Sequence, residues 1–387
     1  MNSTFRMRHR QREWLWGVIA FVIFARAACS VDGRAAEPAH KIRTRHRDFY
    51  VSTLGDNGND GSAQHPWRTI THAASRAKPG VTIHVAPGSY HGNIVTEVSG
   101  TPEARIAYIS DIKWGAKLVG IGTGVLWQLN ASYIDIIGFD ISGPNNYGIY
   151  AGWTGATPGY DHFLNNYIHD ITNRAGCTST GGAAIDTGSG GAGNDWFSGN
   201  VIANIGVQLM GTCHTIQGIY VANAHAVVEN NIVSGVAGYG IQQWHGATAS
   251  TIVNNTVFNN GGGILLGDGD AGALPGGSGD NYVANNICVF NREYGIVEGG
   301  AMRGGNTYAN NLLWNNPKPY SLISGATPTG TVIADPQFVN YRADGAGDYH
   351  LTASSPAINK GTANRAPVRD PNASLRPAGA PLNIGAY

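Results

Sequence analysis

The stretch that decides the fold reads VVENNIVSGVAGYGIQQWHG (residues 227–246), TIVNNTVFNNGGGILLGDG (residues 251–269) and YVANNICVFNREYGIVEGG (residues 282–300). Each copy contains an apolar run, a pair of asparagines, a second apolar run, a turn and a strand built around Gly-Ile. One copy cannot bury its apolar side alone, so the copies have to stack. Short alternating runs separated by turns therefore predict a β-solenoid.

Asparagines mark the same point in successive copies, and looser copies extend the repeat from about residue 134 to about residue 324. If these asparagines occupy one corner of the solenoid, each side chain can hydrogen-bond to the next coil. We therefore predict a structural ladder formed by Asn166, Asn200, Asn231, Asn255, Asn286 and Asn311.

The composition narrows the class of protein. Of 387 residues, 55 are glycine and 13% are charged, with a formal net charge of zero. Glycine at this level, without a collagen period, suits a fold rich in tight turns. A neutral chain indicates neither a nucleic acid nor an acidic membrane surface as partner. We expect one elongated domain and a monomer.

The first 36 residues have the pattern of an export signal, followed by a linker at residues 37–48. Four arginines precede an apolar run at residues 14–24, which is shorter than the roughly 20 residues of a membrane span. We therefore predict a secreted or periplasmic protein without a membrane span after signal removal. Disulfides persist in such compartments. Cys177 and Cys213 lie in insertions on neighbouring coils, and we predict that they form a disulfide, while Cys288 is a buried thiol.

Several short motifs precede the repeats: Tyr50-Val51-Ser52, Asn59-Asp60-Gly61-Ser62, Pro66-Trp67-Arg68-Thr69-Ile70, Pro79-Gly80 and Gly88-Ser89-Tyr90. Together with the repeats, they resemble secreted right-handed parallel β-helix proteins of the pectate-lyase-like superfamily. The resemblance implies an all-β, right-handed parallel β-helix over residues 49–340. It also implies a capping α-helix near residues 69–77 and a C-terminal capping segment at residues 341–387. Lyases, glycosidases, epimerases and non-enzymes share this fold, so the resemblance leaves the activity open.

Aligning the Gly-Ile strands places distant residues in columns, because successive strands lie about 4.8 Å apart and alternate residues face outward. With each isoleucine facing inward, the next residue faces outward. This first column reads Tyr150, Asp186, Tyr220, Gln242, Leu265 and Val297. A second column, four positions after the isoleucine, reads Trp153, Ser189, Asn223, His245, Asp268 and Gly300.

These columns predict a carbohydrate groove that takes an extended polysaccharide. Aromatic faces pack against sugar rings, and amide and carboxyl groups bond to hydroxyls, whereas an unoccupied strand face would carry lysines that these columns lack. We expect insertions at residues 175–182, 206–215 and 268–279 to form its rims. The predicted substrate-binding residues are Tyr150, Asp186, Asn223, Gln242, Trp244, Trp153, Glu298 and His214.

The sequence favours elimination at a uronic acid slightly over hydrolysis. The resemblance implies a Lys or Arg base, often with calcium, but no lysine lies between Lys117 and Lys318. We therefore predict a version in which Tyr220 and His245 act as base and acid, with Asp268 orienting the imidazole. In that version, Asn223 or Gln242 binds the substrate carboxylate.

Two alternatives stay open. Hydrolysis needs two carboxyl groups, about 5–5.5 Å apart for retention or about 6.5–9.5 Å apart for inversion, which Asp268 could supply with Asp270 or with Glu298. Asp268 and Asp270 could also bind Ca²⁺, although a Gly-Asp-Gly-Asp loop is weak evidence for it. The other class of function is a non-catalytic glycan-binding or envelope protein with the same architecture.

Overall fold

The computed structural model describes residues 47–152, 155–269, 275–377 and 381–387. The predicted export signal, most of the linker, Trp153 and Asp270 lie outside these described residues. Within the described part of the chain, no helix is long and apolar enough to cross a membrane.

The described chain winds through three parallel sheets, and each full coil adds one strand to sheet A, then one to sheet B, then one to sheet C. Sheet A consists of Arg47–Val51, Val81–Val85, Ile106–Ser110, Ile134–Ile137, His162–Leu164, Trp196–Ser198, Val227–Glu229, Thr251–Val253, Tyr282–Ala284 and Thr307–Ala309. Sheet B consists of Gly88–His91, Ala116–Val119, Asp140–Gly143, Tyr167–Ile171, Val201–Ile205, Ile232–Val236, Thr256–Phe258, Ile287–Val289 and Leu312–Trp314. Sheet C consists of Ile94–Thr96, Val125–Leu129, Tyr147–Ala151, Gly182–Asp186, Ile216–Val221, Tyr239–Gln243, Gly262–Asp268, Tyr294–Gly300 and Lys318–Ser321. The predicted parallel β-helix is confirmed.

The remaining elements are short. They are an α-helix at Ile70–Arg76, a 3₁₀ turn at Val207–Leu209, a parallel pair of Ser278–Gly279 with Met302–Gly304, and an antiparallel pair of Phe338–Asn340 with Asp348–Leu351. The helix begins after Thr69, whose hydroxyl accepts a hydrogen bond from the backbone N–H of His72 at 3.2 Å. Its buried residues pack into the same core as the first coils, as predicted for residues 69–77.

The isoleucines of the Gly-Ile strands stack inside the solenoid, and each fully buried side chain contributes about 2 kcal/mol to folding. The glycine of each pair also faces the interior. A Cβ on Gly218 would lie 2.7 Å from Val233, and one on Gly240 would lie 2.5 Å from Val257. Side chains therefore do not alternate strictly between inside and outside at the Gly-Ile pair. The glycine and the isoleucine both face inward, and the residues before and after the pair both face outward.

The asparagine ladder forms as predicted. The side-chain N–H of each of the first five asparagines, from Asn166 to Asn286, donates to the side-chain oxygen of the next at 2.9–3.1 Å. A second ladder, which we did not predict, runs five residues further along from Asn260 through Asn291 to Asn316. These bonds satisfy polar groups at the corners of the coils, where the chain turns from one sheet to the next.

The disulfide between Cys177 and Cys213 is confirmed, with a Cα–Cα distance of 5.5 Å, and Cys288 is a buried free thiol. The C-terminal segment packs along the side of the solenoid. Tyr349 and Ile384 join a cluster with Phe258 on the outer face of sheet B. In the described residues this segment therefore covers outer strand faces, a wider role than the capping of the last coil that we predicted.

Candidate active site

The outward column on sheet C has the register that the sequence predicts. Tyr150 pairs with Asp186, Asp186 with Tyr220, and Tyr220 with Gln242, and the column continues through Leu265 to Val297. Four polar or aromatic side chains therefore follow one another at the spacing of single coils. Two apolar side chains then replace them.

The polar part of this column opens into a cavity of about 250 Å³. Its described lining includes seven predicted site residues: Tyr150, Asp186, His214, Tyr220, Gln242, Trp244 and His245. The loops at residues 175–182 and 206–215 supply part of the wall, as predicted, and the Cys177–Cys213 disulfide joins them. Thr215 of one loop also donates to the carbonyl of Thr178 of the other at 2.9 Å.

Asp186 is a buried carboxyl group in the wall of this cavity. One oxygen accepts a hydrogen bond from the backbone N–H of Gly188 at 2.7 Å. Burial raises the pKa of Asp186 to about 7, and the bond from Gly188 opposes that shift. None of the described residues lining the cavity is Lys or Arg, so no cation there holds the carboxyl group in its charged form.

Two tyrosines lie beside this carboxyl group. The rings of Tyr147 and Tyr150 meet edge to face with centroids 4.8 Å apart, and the hydroxyl of Tyr147 donates to the carbonyl of Thr180. Burial, followed by the negative charge of Asp186, raises the pKa of both phenols. Both therefore stay neutral near pH 7 and can donate hydrogen bonds.

Tyr220 and His245 are adjacent, with ring centroids 5.8 Å apart in an edge-to-face arrangement. His245 has a left-handed backbone with φ of 56°, which costs on the order of 1 kcal/mol or more in a residue other than glycine. Its Nδ1 atom is buried and has no hydrogen-bond partner among the described residues. A buried nitrogen without a partner beside a cavity is a candidate for a contact with a ligand.

Gln242 is oriented by a second glutamine. The amide of Gln217 donates to the backbone carbonyl of His214 and to the side-chain oxygen of Gln242, both at 3.2 Å. This bond fixes which end of the Gln242 amide is the acceptor, so its N–H₂ group is the end left to donate to a ligand.

Comparison with known proteins gives two matches to family models. Residues 217–335 match the right-handed beta helix region, and residues 53–97 match a protein family of unknown function, DUF1565. Among solved structures, a rhamnogalacturonan lyase is 12% identical, with a TM-score of 0.53 over 80% of this chain and 96% of that one. The complex structure of XylC with xylose is also 12% identical, with a TM-score of 0.50 over 79% of this chain and 73% of that one.

This protein is a right-handed parallel β-helix. At these identities the likeness shows the fold alone. The uncharacterized protein YwoF of Bacillus subtilis (strain 168) is 35% identical over 60 residues, which span 16% of this chain and 13% of that protein. The activity of this β-helix therefore has to be argued from its own site.

The structure does not place Asn223 in the cavity, although the second predicted column includes it. Its side-chain N–H₂ donates to the carbonyls of Thr187 and Gly188, both at 2.9 Å, and its oxygen accepts from the N–H of Gly191 at 2.7 Å. Asn223 therefore shapes the turn that follows Asp186 and has a structural role there.

Glu298 is also structural, which corrects its predicted contact with substrate. Its carboxylate lies inside the solenoid and accepts five hydrogen bonds, from the side chains of Asn306 and Tyr308, from the hydroxyl of Ser324, and from the backbone of Ile323 and Ser324. Burial opposes its ionisation, but these bonds together hold the pKa of Glu298 below its ordinary value. A carboxylate fixed in this way is a poor partner for hydrolysis with Asp268.

Asp268 is fully buried and is not among the described residues that line the cavity. We predicted that Asp268 orients the imidazole of His245; within the described residues, Nδ1 of that imidazole has no hydrogen-bond partner. Asp270, the other half of the predicted calcium site, lies outside the described residues. In the described part of the chain, no cluster of three His, Cys, Asp or Glu side chains could hold a metal ion.

Sequence reasoning missed Tyr147 and Gln217, which line the cavity two residues before the inward isoleucine. Assuming strict alternation assigned them to the interior. The glycine of the Gly-Ile pair is the signal that could have found them. A Cβ at that glycine would enter the core, so the glycine itself faces inward and the residue before it faces outward.

Proposed function

We propose that this β-helix is an exported enzyme that cleaves a uronic-acid-containing polysaccharide by β-elimination. The observation that carries the proposal is the cavity on sheet C, which brings Tyr220 and His245 together beside Asp186 and Gln242. The disulfide supports export, because disulfides persist in oxidising compartments.

The shape and chemistry of the cavity favour a glycan. Tyr150, Tyr220 and Trp244 offer aromatic surfaces that suit sugar rings, and Gln242 offers an amide for hydroxyl groups. Trp244 is held closely, since a Cβ on Gly267 would lie 2.2 Å from its ring. Sheet C continues along the solenoid on both sides of the cavity, which leaves room for a chain of sugars.

Elimination requires a base, an acid and a partner for the carboxylate. In the proposed reaction, neutral His245 takes the proton from the carbon beside the uronate carboxyl group. The electron pair of that C–H bond forms a carbon–carbon double bond, and the bond to the glycosidic oxygen breaks. The phenol of Tyr220 gives that oxygen its proton, so the products are an unsaturated uronide and a free sugar hydroxyl.

Asp186 and Gln242 are the proposed partners of the uronate carboxylate. With no Lys or Arg in the described lining, hydrogen-bond donors have to take the place of a cation. Protonated Asp186 supplies one donor, because its pKa of about 7 keeps much of it neutral, and the Gln242 amide supplies another. A uronate beside Asp186 raises that pKa further, so substrate binding and protonation of Asp186 support each other.

One observation favours non-catalytic glycan binding as the second candidate. Within the described residues, Nδ1 of His245 has no carboxylate partner of the kind that orients a histidine as a base. Hydrolysis by a carboxyl pair has less support, because Asp186 is the one carboxyl group in the described lining.

The test is to incubate the mature protein with polygalacturonan, rhamnogalacturonan, alginate and neutral xylan, and to follow ultraviolet absorbance and reducing ends. We expect absorbance from an unsaturated uronide with at least one of the acidic polymers. His245→Ala and Tyr220→Phe should each lower the rate by about 10²–10⁴-fold.

His225→Ala is the matched control, because His225 is an exposed histidine with a similar left-handed backbone, φ 63°, and does not line the cavity. It should retain the wild-type rate. New reducing ends without absorbance would replace elimination by hydrolysis, and binding without cleavage would leave the glycan-binding alternative. Full activity in His245→Ala would remove His245 from the mechanism.

A further inference from the structure

A second cleft, of about 490 Å³, lies on the outer face of sheet A. One side is formed by two adjacent strands of sheet A, with Trp196, Ser198 and Glu229. The other side is formed by the C-terminal segment at residues 366–373. The cleft shares no residue with the cavity on sheet C.

Trp196 is held in one orientation with part of its ring exposed. Its indole N–H donates to the carboxylate of Glu229 on the next coil at 3.1 Å, and the Ser198 hydroxyl donates to the same oxygen at 3.4 Å. The side chain is 37% exposed, although it stands in the middle of a sheet face. A large apolar surface that is both exposed and fixed suits a ligand with an apolar face of its own.

We infer that this cleft is a second glycan-binding site, which takes an extended polysaccharide chain against Trp196 and Glu229. A sugar ring has C–H groups on its face that pack on an indole, and hydroxyl groups at its edge that donate to a carboxylate. Glu229 is nearly buried, so it stands where a hydroxyl bond is shielded from water.

Further aromatic side chains continue the face away from the cleft. His162, one coil earlier, meets Trp196 edge to face with centroids 5.3 Å apart. Tyr160 is 38% exposed and stacks on Tyr133 at 4.8 Å, again one coil apart. Successive coils lie about 4.8 Å apart, which is close to the length of one sugar residue in an extended chain.

The exposed aromatics lie beside the part of sheet A that the C-terminal segment covers. On later coils it covers the face of sheet A, and Arg365 lies over the ring of Tyr282 at 5.1 Å. Uncovered aromatics therefore begin where the covering segment leaves the sheet, next to Trp196.

The charges of the cleft indicate contacts with ring faces and hydroxyl groups. Glu229, Arg369 and Asp370 line it, which gives no excess of positive charge for an acidic group of the polymer. Arg105, near the exposed tyrosines, is paired with Asp135 at 2.6 Å. An acidic polysaccharide can still bind here through its uncharged edge, and so can a neutral one.

The experiment is electrophoresis of the folded protein through gels that contain polygalacturonan, alginate or neutral xylan. Every variant is made in a Gln242→Ala background, which should weaken binding in the cavity on sheet C. We expect at least one polymer to retard the Gln242→Ala protein, and Trp196→Ala to weaken that binding by about tenfold. Glu229→Gln should weaken it to a smaller extent.

Trp314→Ala is the matched control, since Trp314 is 38% exposed at the end of a sheet B strand and lines none of these clefts. It should leave the retardation unchanged, and thermal unfolding confirms that each variant is folded. Equal retardation of the Trp196 and Trp314 variants would overturn the inference, as would a Gln242→Ala protein that none of the three polymers retards. Neither result bears on cleavage in the cavity.

Discussion

The asparagine ladder and the outward column of sheet C are built on the same register, one residue per coil, but the sequence fills them differently. The ladder repeats one residue from Asn166 to Asn311, and every member is fully buried. The column changes from Tyr to Asp to Tyr to Gln and then becomes apolar. A corner that needs the same hydrogen bonds in every coil has the same residue in every coil. A surface whose coils contact different parts of a ligand has a different residue in each coil.

Breaking the ladder in its middle should have the largest effect. Asn231 accepts from the backbone and side-chain N–H groups of Asn200, and it donates to Asn255 and to the carbonyl of Phe197. Asn231→Ala leaves several of these buried groups without partners, each costing about 1–3 kcal/mol. We expect a loss of about 4 kcal/mol in the free energy of unfolding, measured by denaturant titration.

Asn364→Ala is the control, because Asn364 is exposed and its side chain makes no hydrogen bond within the described residues. It should change the free energy of unfolding by less than about 0.5 kcal/mol. If both variants unfold at the same denaturant concentration, the ladder contributes nothing to stability and its regularity needs another explanation.

Changing one residue of the sheet C column should alter function and leave stability largely intact. Asp186→Asn keeps a hydrogen-bond donor at this position but cannot ionise. The wild-type KM for an acidic polymer should rise about tenfold per pH unit above pH 7, as Asp186 loses its proton. The variant should lose this dependence and surpass the wild type at alkaline pH.

The measurement is the pH profile of KM and kcat for the wild type and Asp186→Asn on the polymer that the enzyme cleaves. Because Asp186 is proposed to hold the substrate, its effect belongs mainly in KM. Identical pH profiles for the two proteins would exclude Asp186 as the partner of the uronate.

The sequence predicts the register because an inward isoleucine and a corner asparagine recur in every copy, and each has the same packing in every coil. It does not predict which polar side chains remain available to a ligand. Asn223 and Glu298 carry chemical groups that suit a sugar, but both are already hydrogen-bonded within the protein. Asn223 donates to the carbonyl of Thr187, and Glu298 accepts from the hydroxyl of Tyr308, and those partners come from other coils. The position of a residue in a column follows from periodicity, whereas its hydrogen bonds depend on three-dimensional detail.

A second corner of the solenoid sharpens the comparison, because acids stand there in the place of asparagines. The N–H of Ile134 donates to Asp161 at 2.8 Å, and the N–H of Asp161 donates to Asp195 at 3.0 Å, which repeats the backbone pattern of the ladder. Further along this corner, Ser250 is followed by Asn281 on the next coil and by Asn306 on the coil after that. The second oxygen of Asp161 is buried without a partner, at the atom where an asparagine has its donor.

Burial, and for Asp161 also the charge of its neighbour, raises the pKa of both carboxyl groups. The folded state therefore holds protons that the unfolded chain releases above its Asp pKa of about 3.9. The stability that these groups contribute is fully present below that pH and is lost as pH rises toward the raised pKa values. Near neutral pH the pair should destabilise the fold.

Asp161→Asn replaces the unpartnered oxygen by an N–H₂ group that can donate to Asp195, as each asparagine of the ladder donates to the next. We expect the free energy of unfolding at pH 7.5 to increase by about 1–2 kcal/mol and its decline between pH 4 and pH 7 to become shallower. Denaturant titration at a series of pH values measures both. Asp48→Asn is the control, since the Asp48 side chain is half exposed, and it should change the free energy of unfolding by less than about 0.5 kcal/mol. A variant that is less stable than the wild type at every pH would mean that this corner needs a charged group, and that the ladder pattern does not extend to the acids.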